Sequence, residues 1–196
     1  MKKAAYSLQR KDLDDDWRLY LEGRASLLKN HCRNRSVLDV GCGDGKFLDE
    51  LELHYHAKEL CGLDISEAMI AQAKRNYKHH DYVMGSGDDL PFEDKSFDVL
   101  TFQWVFHHMS PYVAQQTLRE AARVSRKTVI IQDTIRHESG LMYFLSLMYW
   151  KTVDGGVCYR TEDQWREFFE TNGLNLIGEH FGNIIRTGIF VLEPAA

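Results

Sequence analysis

The chain has 196 residues, enough for one domain with a substantial core. Apolar residues make up 44% and aromatic residues 12%, the proportions of an ordinary globular protein. A net charge of −5, from 24 basic and 29 acidic residues, argues against a general nucleic-acid binder, which needs a basic footprint to displace counterions.

The first residues, MKKAAYSLQRKDLDDDW, hold two lysines with no apolar core behind them, so no signal peptide is expected. A helix near Asp15–His31 should pack on a sheet before its first strand. Apolar runs then alternate with helical patterns, which points to repeated βα units. Strands are expected near Ser36–Val40, Glu59–Leu63, Tyr82–Met84, Phe97–Phe102 and Thr128–Gln132. Helices are expected near Lys46–Leu53, Glu67–Tyr77 and Tyr112–Ser125. The Ser110-Pro111 pair is a start signal for the last of these, with a capping hydroxyl followed by a proline suited to the first helical position.

The second half is patterned differently. Thr134–Tyr159 holds no good strand, and a structureless loop of that length is unusual in a compact domain. Its most apolar stretch, Leu141–Trp150, is too short to span a bilayer and reads as an inserted helix. Thr161-Glu-Asp-Gln164 is a capping box for a helix ending near Asn172-Gly173. Strands near Leu174–Phe181 and Ile184–Leu192, joined by Gly182-Asn183, form a hairpin, so at least one strand runs antiparallel to the rest. The four cysteines, Cys32, Cys42, Cys61 and Cys158, show no C-x-x-C pair and no metal-ligand spacing. They read as reduced thiols in a cytoplasmic protein, and no metal is expected.

The densest signal is VLDVGCGDGKF, Val37–Phe47. A buried strand ends at Val40 and must turn into the helix starting near Lys46. Gly41, Gly43 and Gly45 permit that turn and keep side chains away from an approaching ligand. The helix after them offers unpaired N–H groups. The dinucleotide fingerprint is G-x-G-x-x-G. Here Asp39-x-Gly41-x-Gly43-x-Gly45 brings the third glycine one residue early and adds an acidic residue ahead of the first.

This pattern resembles the first motif of the class I S-adenosylmethionine-dependent methyltransferases. The next motif agrees: ELCGLDIS ends a strand in Asp64, nineteen residues after Gly45, where a carboxylate can accept both ribose hydroxyls. Ile65 follows, and Ser66 caps the next helix. GSGDDLPFEDKSFDVLTF is similar to the family stretch whose loop covers the adenine. The family's usual aspartate falls on Ser86 here, which leaves that contact to Ser86, to Asp88, or to the backbone at Gly87 and Asp88, with Asp89 closing the loop. Asp98 also matches the family pattern. In TFQWVFHHMSPYVAQQTLREAARV, Gln103 falls at the carboxyl end of the fourth strand, near the methionine part of the cofactor, with Trp104 beside the transferring methyl. The resemblance covers roughly residues 17 to 132, and the remainder by topology.

The resemblance implies a Rossmann-like, doubly wound α/β fold, with a seven-stranded, mostly parallel sheet, helices on both faces and a C-terminal antiparallel hairpin. One domain would comprise an N-terminal helical cap (1–33), a cofactor-binding core (34–132), a helical insert serving as a substrate lid (133–160), and a last helix with a strand pair (161–196). The cofactor would be S-adenosyl-L-methionine, held by Asp39, Gly41, Cys42, Gly43, Gly45, Asp64, Ile65, Ser86, Gly87, Asp88, Asp89 and Gln103.

A sulfonium is already an activated methyl donor, so the protein's main task is alignment and exclusion of water. A hydroxyl acceptor would also need a general base. His107 and His108 are the candidates, with a structural role at the sheet ends as the competing reading; Asp133 and His137 are further candidates. The acceptor is expected to be a small, partly apolar molecule. The stretch Phe102-Gln103-Trp104-Val105 after the fourth strand holds no proline, and no Pro-Cys pair is present, which together with the negative charge disfavours nucleic acid. Tyr6, Trp17, Tyr20, Trp104, Tyr143 and Arg160 are the candidate substrate residues. The insert's apolar face is equally explained as core or as a homodimer contact. Two rivals stand beside transfer: a binding module without turnover, and a nucleotide-dependent oxidoreductase.

Overall fold

The computed structural model describes residues 2–136, 144, 148, 152, 155–182 and 186–195, with side chains from residue 15 onward. Seven strands form one sheet: β1 (Ser36–Val40), β2 (Lys58–Asp64), β3 (Asp81–Met84), β4 (Phe97–Gln103), β5 (Ser125–Thr134), β6 (Leu174–Gly182) and β7 (Thr187–Pro194). The order across the sheet is β3-β2-β1-β4-β5-β7-β6. The first five run parallel, and β7 lies antiparallel to both β5 and β6. The expected α/β sheet and its C-terminal antiparallel pair are therefore both present.

The helices are α1 (Lys2–Cys32), α2 (Lys46–Tyr55), α3 (Glu67–Asn76), α4 (Pro111–Val124) and α5 (Glu162–Glu170). Alternation along each strand sorts the core into two layers. Leu38, Val40, Leu100, Phe102, Val129 and Ile131 point to the face covered by α4 and α5, through Leu118, Trp165 and Phe169. Val37, Val99 and Ile130 point the other way, to Leu28 of α1, Leu48 and Leu51 of α2, and Ala73 of α3. All five residues of β1 are buried, as a central parallel strand requires.

The caps form as read. Ser66 accepts from the Met69 amide, Ser110 from the Val113 amide, and Thr161 with Gln164 closes a full capping box. Some boundaries shift. α1 begins at Lys2 rather than near Asp15, because the polar first turns carry no apolar period to mark them. β5 starts at Ser125, directly after α4 ends, so no loop signal separates the two. The last strand runs Thr187–Pro194 and the last helix ends at Glu170. The hairpin tip at 183–185 and most of the Leu141–Trp150 segment lie outside the described residues, although Phe144, Met148 and Thr152 are helical. Among the described residues, no helix is long and apolar enough to cross a membrane.

Candidate cofactor and acceptor site

The site lies where the order of the sheet reverses, at the carboxyl ends of β1, β2 and β4. Such a switch point leaves a crevice between the outgoing loops. A cavity of about 510 Å³ opens there, lined by Val40, Gly41 and Asp64 on one side and by Gln103, Trp104 and Met109 on the other. A smaller cavity of about 270 Å³ adjoins it at Gly41, Gln103 and Trp104, and is walled by Asp39, Cys42 and Arg24.

The glycine loop is built by backbone geometry. Gly41 has φ 79°, and a Cβ there would meet Val105 at 2.5 Å. The Gly41 and Cys42 amides both donate to the Leu63 carbonyl, at 2.7 and 3.0 Å, which ties the loop to the tip of β2. Gly43 is also left-handed, and no atom lies within 4 Å of where its Cβ would stand, so the loop presents bare backbone to open space. Gly45, with φ 83°, serves packing instead: a Cβ would meet the Tyr82 hydroxyl at 2.6 Å.

Asp64 is preorganised. Its Oδ2 accepts from the Gly43 amide at 2.9 Å and its Oδ1 from the Ser66 amide at 2.9 Å. Each oxygen keeps a lone pair for a further donor. Ile65, 74% exposed, adds an apolar surface next to that carboxylate on the cavity wall. Across the cavity, Ser86 and Gly87 contribute lining. The Ser86 hydroxyl donates to Asp88, and the Asp89 amide to the Ser86 carbonyl, so this loop is locked upon itself. Asp88 and Asp89 are not among the lining residues.

The loop after Ser86 is also anchored from α4, a feature the sequence reading missed. Glu120 accepts from the Leu90 amide at 2.9 Å, and Arg123 donates to the carbonyls of Leu90 and Phe92. Its only sequence signal is an i,i+3 Glu-Arg pair on the helix.

Asp39 is buried, and the Thr101 hydroxyl donates to its Oδ1 at 2.7 Å. Burial pushes its carboxyl up to about 7, against the hydroxyl that lowers it and with the Asp64 charge adding to the rise. Burial also raises the thiol of Cys42, which makes it a packing group rather than a nucleophile. Arg24 of α1 was not singled out by sequence. It donates to Gln132 Oε1 at 2.7 Å and to Glu50 Oε1 at 2.7 Å, and its guanidinium sits 5.3 Å from the Phe47 ring centroid.

Trp104 has φ 58°, a costly conformation for a bulky side chain, and its amide donates to the Gln132 carbonyl at 2.9 Å. That turn carries the indole onto the walls of both cavities. Asp98, by contrast, sits at the amino end of β4, where it accepts from the Ser36 amide and pairs with Lys127 at 3.2 Å.

The two histidines separate. His108 is exposed and lines the larger cavity. His107 is buried, does not line it, and meets Asp133. The substrate candidates also scatter. Trp17 stacks on Tyr20, and Tyr20 is fully buried against His180, so Tyr20 belongs to the core. Arg160 is buried over Phe168 at 4.1 Å and Trp165 at 4.9 Å, and it lines a separate cavity of about 360 Å³ with Arg136 and Tyr159. The side chain of Tyr6, and all of Tyr143 and His137, lie outside the described residues.

A glycine-lined switch-point crevice with a carboxylate on the neighbouring strand defines a nucleoside-cofactor α/β protein. Comparison with known proteins narrows the class. A methyltransferase domain family matches residues 38–131. The demethylmenaquinone methyltransferase of Thermotoga maritima is 29% identical over 147 residues, which are 72% of this chain and 63% of that protein. The first curated relatives are matched over 63%, 32% and 49% of their own length. Among solved structures, the methyltransferase in complex with the Trm112 methyltransferase activator of Haloferax volcanii superposes with a TM-score of 0.74 at 18% identity, over 98% of this chain and 97% of that one. The magnesium protoporphyrin IX methyltransferase of Synechocystis, solved with bound S-adenosylhomocysteine, has a TM-score of 0.66 at 16% identity, over 94% and 86%. Residues 38–131 match a methyltransferase domain, and the fold is that of the S-adenosylmethionine-dependent methyltransferases, which makes S-adenosylmethionine the group to test against this site. The donor set fits that group: bare backbone at Gly43, a carboxylate at Asp64 with lone pairs to spare, and apolar lining beside it.

Proposed function

We propose that the chain transfers the methyl group of S-adenosylmethionine to a small, partly apolar acceptor. The observation that carries this reading is that the two cavities share Gly41, Gln103 and Trp104 in their walls. Those residues give the cofactor and an acceptor one shared wall.

In this reading Asp64 holds the ribose hydroxyls, and Ile65 and the Ser86–Gly87 backbone flank the adenine. Asp39 takes the cationic amino group on the smaller-cavity side. The cofactor supplies an electrophilic methyl on sulfur. The chain's own residues orient the acceptor and keep water away, which is where most of the rate would come from. Trp104, Val105, Met109 and Val113 give the apolar wall for the acceptor. His108 is the group on that wall able to take a proton from a hydroxyl acceptor. The Thermotoga relative methylates a demethylmenaquinone by its name, which makes phenols and quinols the first acceptors to try. Four free cysteines, three of them buried, suit a reaction carried out in the cytoplasm.

The test follows methyl transfer from labelled S-adenosylmethionine to a panel of phenols, quinols, amines and thiols. Labelled product with one class supports transfer. Binding of S-adenosylhomocysteine with no product from any class would instead mark a binding module.

A further inference from the structure

Four metal-binding side chains converge on the flank of the molecule formed by α2 and the turn into β3. Asp49 and Glu52 lie three residues apart on α2 and so share a face. His79 and His80 end the connection from α3. His79 Nε2 stands 3.1 Å from Glu52 Oε2 and 3.6 Å from Asp49 Oδ1, and His80 Nε2 stands 3.9 Å from Glu52 Oε2. All four ligand atoms lie within 4.8 Å of one another. A tetrahedral ion with bonds of about 2.0–2.1 Å holds its ligand atoms about 3.3 Å apart, within the 3.1–3.9 Å of the His–carboxylate pairs, and binding would draw the wider separations inward.

His80 adds an independent observation. Its side chain is 4% exposed, and its Nε2 has no hydrogen-bond partner although it is aimed at the Glu52 carboxylate. An unsatisfied buried nitrogen is costly, and a metal ion satisfies it. The partly exposed Asp49, Glu52 and His79 leave a path of entry.

We propose that Asp49, Glu52, His79 and His80 bind one Zn²⁺ or a similar divalent transition metal. Two imidazoles with two carboxylates suit Zn²⁺, whereas Mg²⁺ and Ca²⁺ take oxygen ligands. Four protein ligands leave no open position, so the ion is structural. It clamps α2, the helix that leads out of the glycine loop, to the turn before β3. None of the four residues lines the cofactor cavities, so the site stands apart from the methyl-transfer reading. The ligands fall on two elements at positions 49, 52, 79 and 80, a spacing with no short motif to betray it.

Untagged protein is stripped with chelator, titrated with Zn²⁺ or Mg²⁺, desalted, and measured for bound metal and for Tm. The expected result is one zinc per chain and a Tm rise of about 5 °C at zinc well above its Kd, with no rise in magnesium. The exposed variants His79→Gln and Glu52→Gln should each weaken zinc binding by about 10-fold or more while S-adenosylhomocysteine affinity stays unchanged. His80→Gln should do the same if it folds. Failure to retain stoichiometric zinc, or zinc binding unaltered in His79→Gln and Glu52→Gln, overturns the proposal.

Discussion

His107 Nδ1 and Asp133 Oδ1 meet at 2.6 Å, with the side chains 2% and 0% exposed. Asp133 also accepts from the His107 amide, the Thr134 amide and the Thr134 hydroxyl. The His107 ring stacks on Tyr159 at 5.8 Å. This pair joins the short 3₁₀ turn after β4 to the end of β5. Removing one partner of a buried charge-bearing pair costs about 3–5 kcal/mol. Asp133→Asn and His107→Gln are therefore expected to lower Tm strongly, whereas the exposed His108→Ala should change stability by less than about 0.5 kcal/mol. Thermal melts of the three variants check this. A His107 variant as stable as wild type would contradict it.

Asp64 organises the loop it touches and, in the proposed reading, also holds the ribose. Asp64→Ala removes the acceptor for the Gly43 and Ser66 amides as well as the proposed ribose contact. A lost charged hydrogen bond is worth about 1.5–3 kcal/mol, so S-adenosylhomocysteine affinity should fall about 10- to 100-fold. Asp64→Asn, which keeps one acceptor oxygen, should lose less. Calorimetric titration gives both numbers, and equal affinities for wild type and Asp64→Ala would remove Asp64 from the site.

With Asp39 on the cofactor's amino group, as proposed, cofactor binding is expected to depend on pH. Its folded-state carboxyl titrates near 7, well above the ordinary 3.8, so the native state holds a proton there that the unfolded chain has lost. Stability therefore falls as pH rises from about 4 to 7. A cationic amino group next to it favours the carboxylate, so affinity should rise with pH across about 6 to 8, with proton release. Asp39→Asn keeps an acceptor for the Thr101 hydroxyl and should flatten both dependences. Titrations in buffers of different ionisation enthalpy measure the released proton; equal apparent heats in all buffers would refute the coupling.

Gly41→Ala meets two obstacles at once. The left-handed φ costs a non-glycine residue about 1–2 kcal/mol, and the added Cβ strikes Val105. Because Val105 lines the larger cavity, its displacement should weaken cofactor binding as well as lower Tm. Gly43→Ala, with open space around its Cβ, should keep Val105 in place and lower Tm less. Comparing the two variants by melting separates the clash from the backbone strain.

The parallel core was legible because each signal was local. The apolar run of β1, the early third glycine, and the Ser66, Ser110 and Thr161 caps all occupy a few consecutive positions. What escaped notice depends on distant pairs. Arg24 meets Gln132 across 108 positions, and His107 meets Asp133 across 26. Adjacent histidines looked equivalent in sequence, yet a 3₁₀ turn sends one inward and leaves the other at the cavity. Tyr20 looked like a lid aromatic because a helix period does not say which neighbour covers it; His180 does.

Arg24 links α1 to α2 and β5 simultaneously, and Tyr20, Leu28 and Cys32 fill the same layer. The helix is thus part of the layer packed on one face of the sheet. Cutting the chain at residue 34 would bare that layer and strand Glu50 and Gln132 without their cation. A minimal folded fragment has to start upstream of Tyr20, and a fusion partner is better tolerated ahead of Asp15 than spliced between α1 and β1.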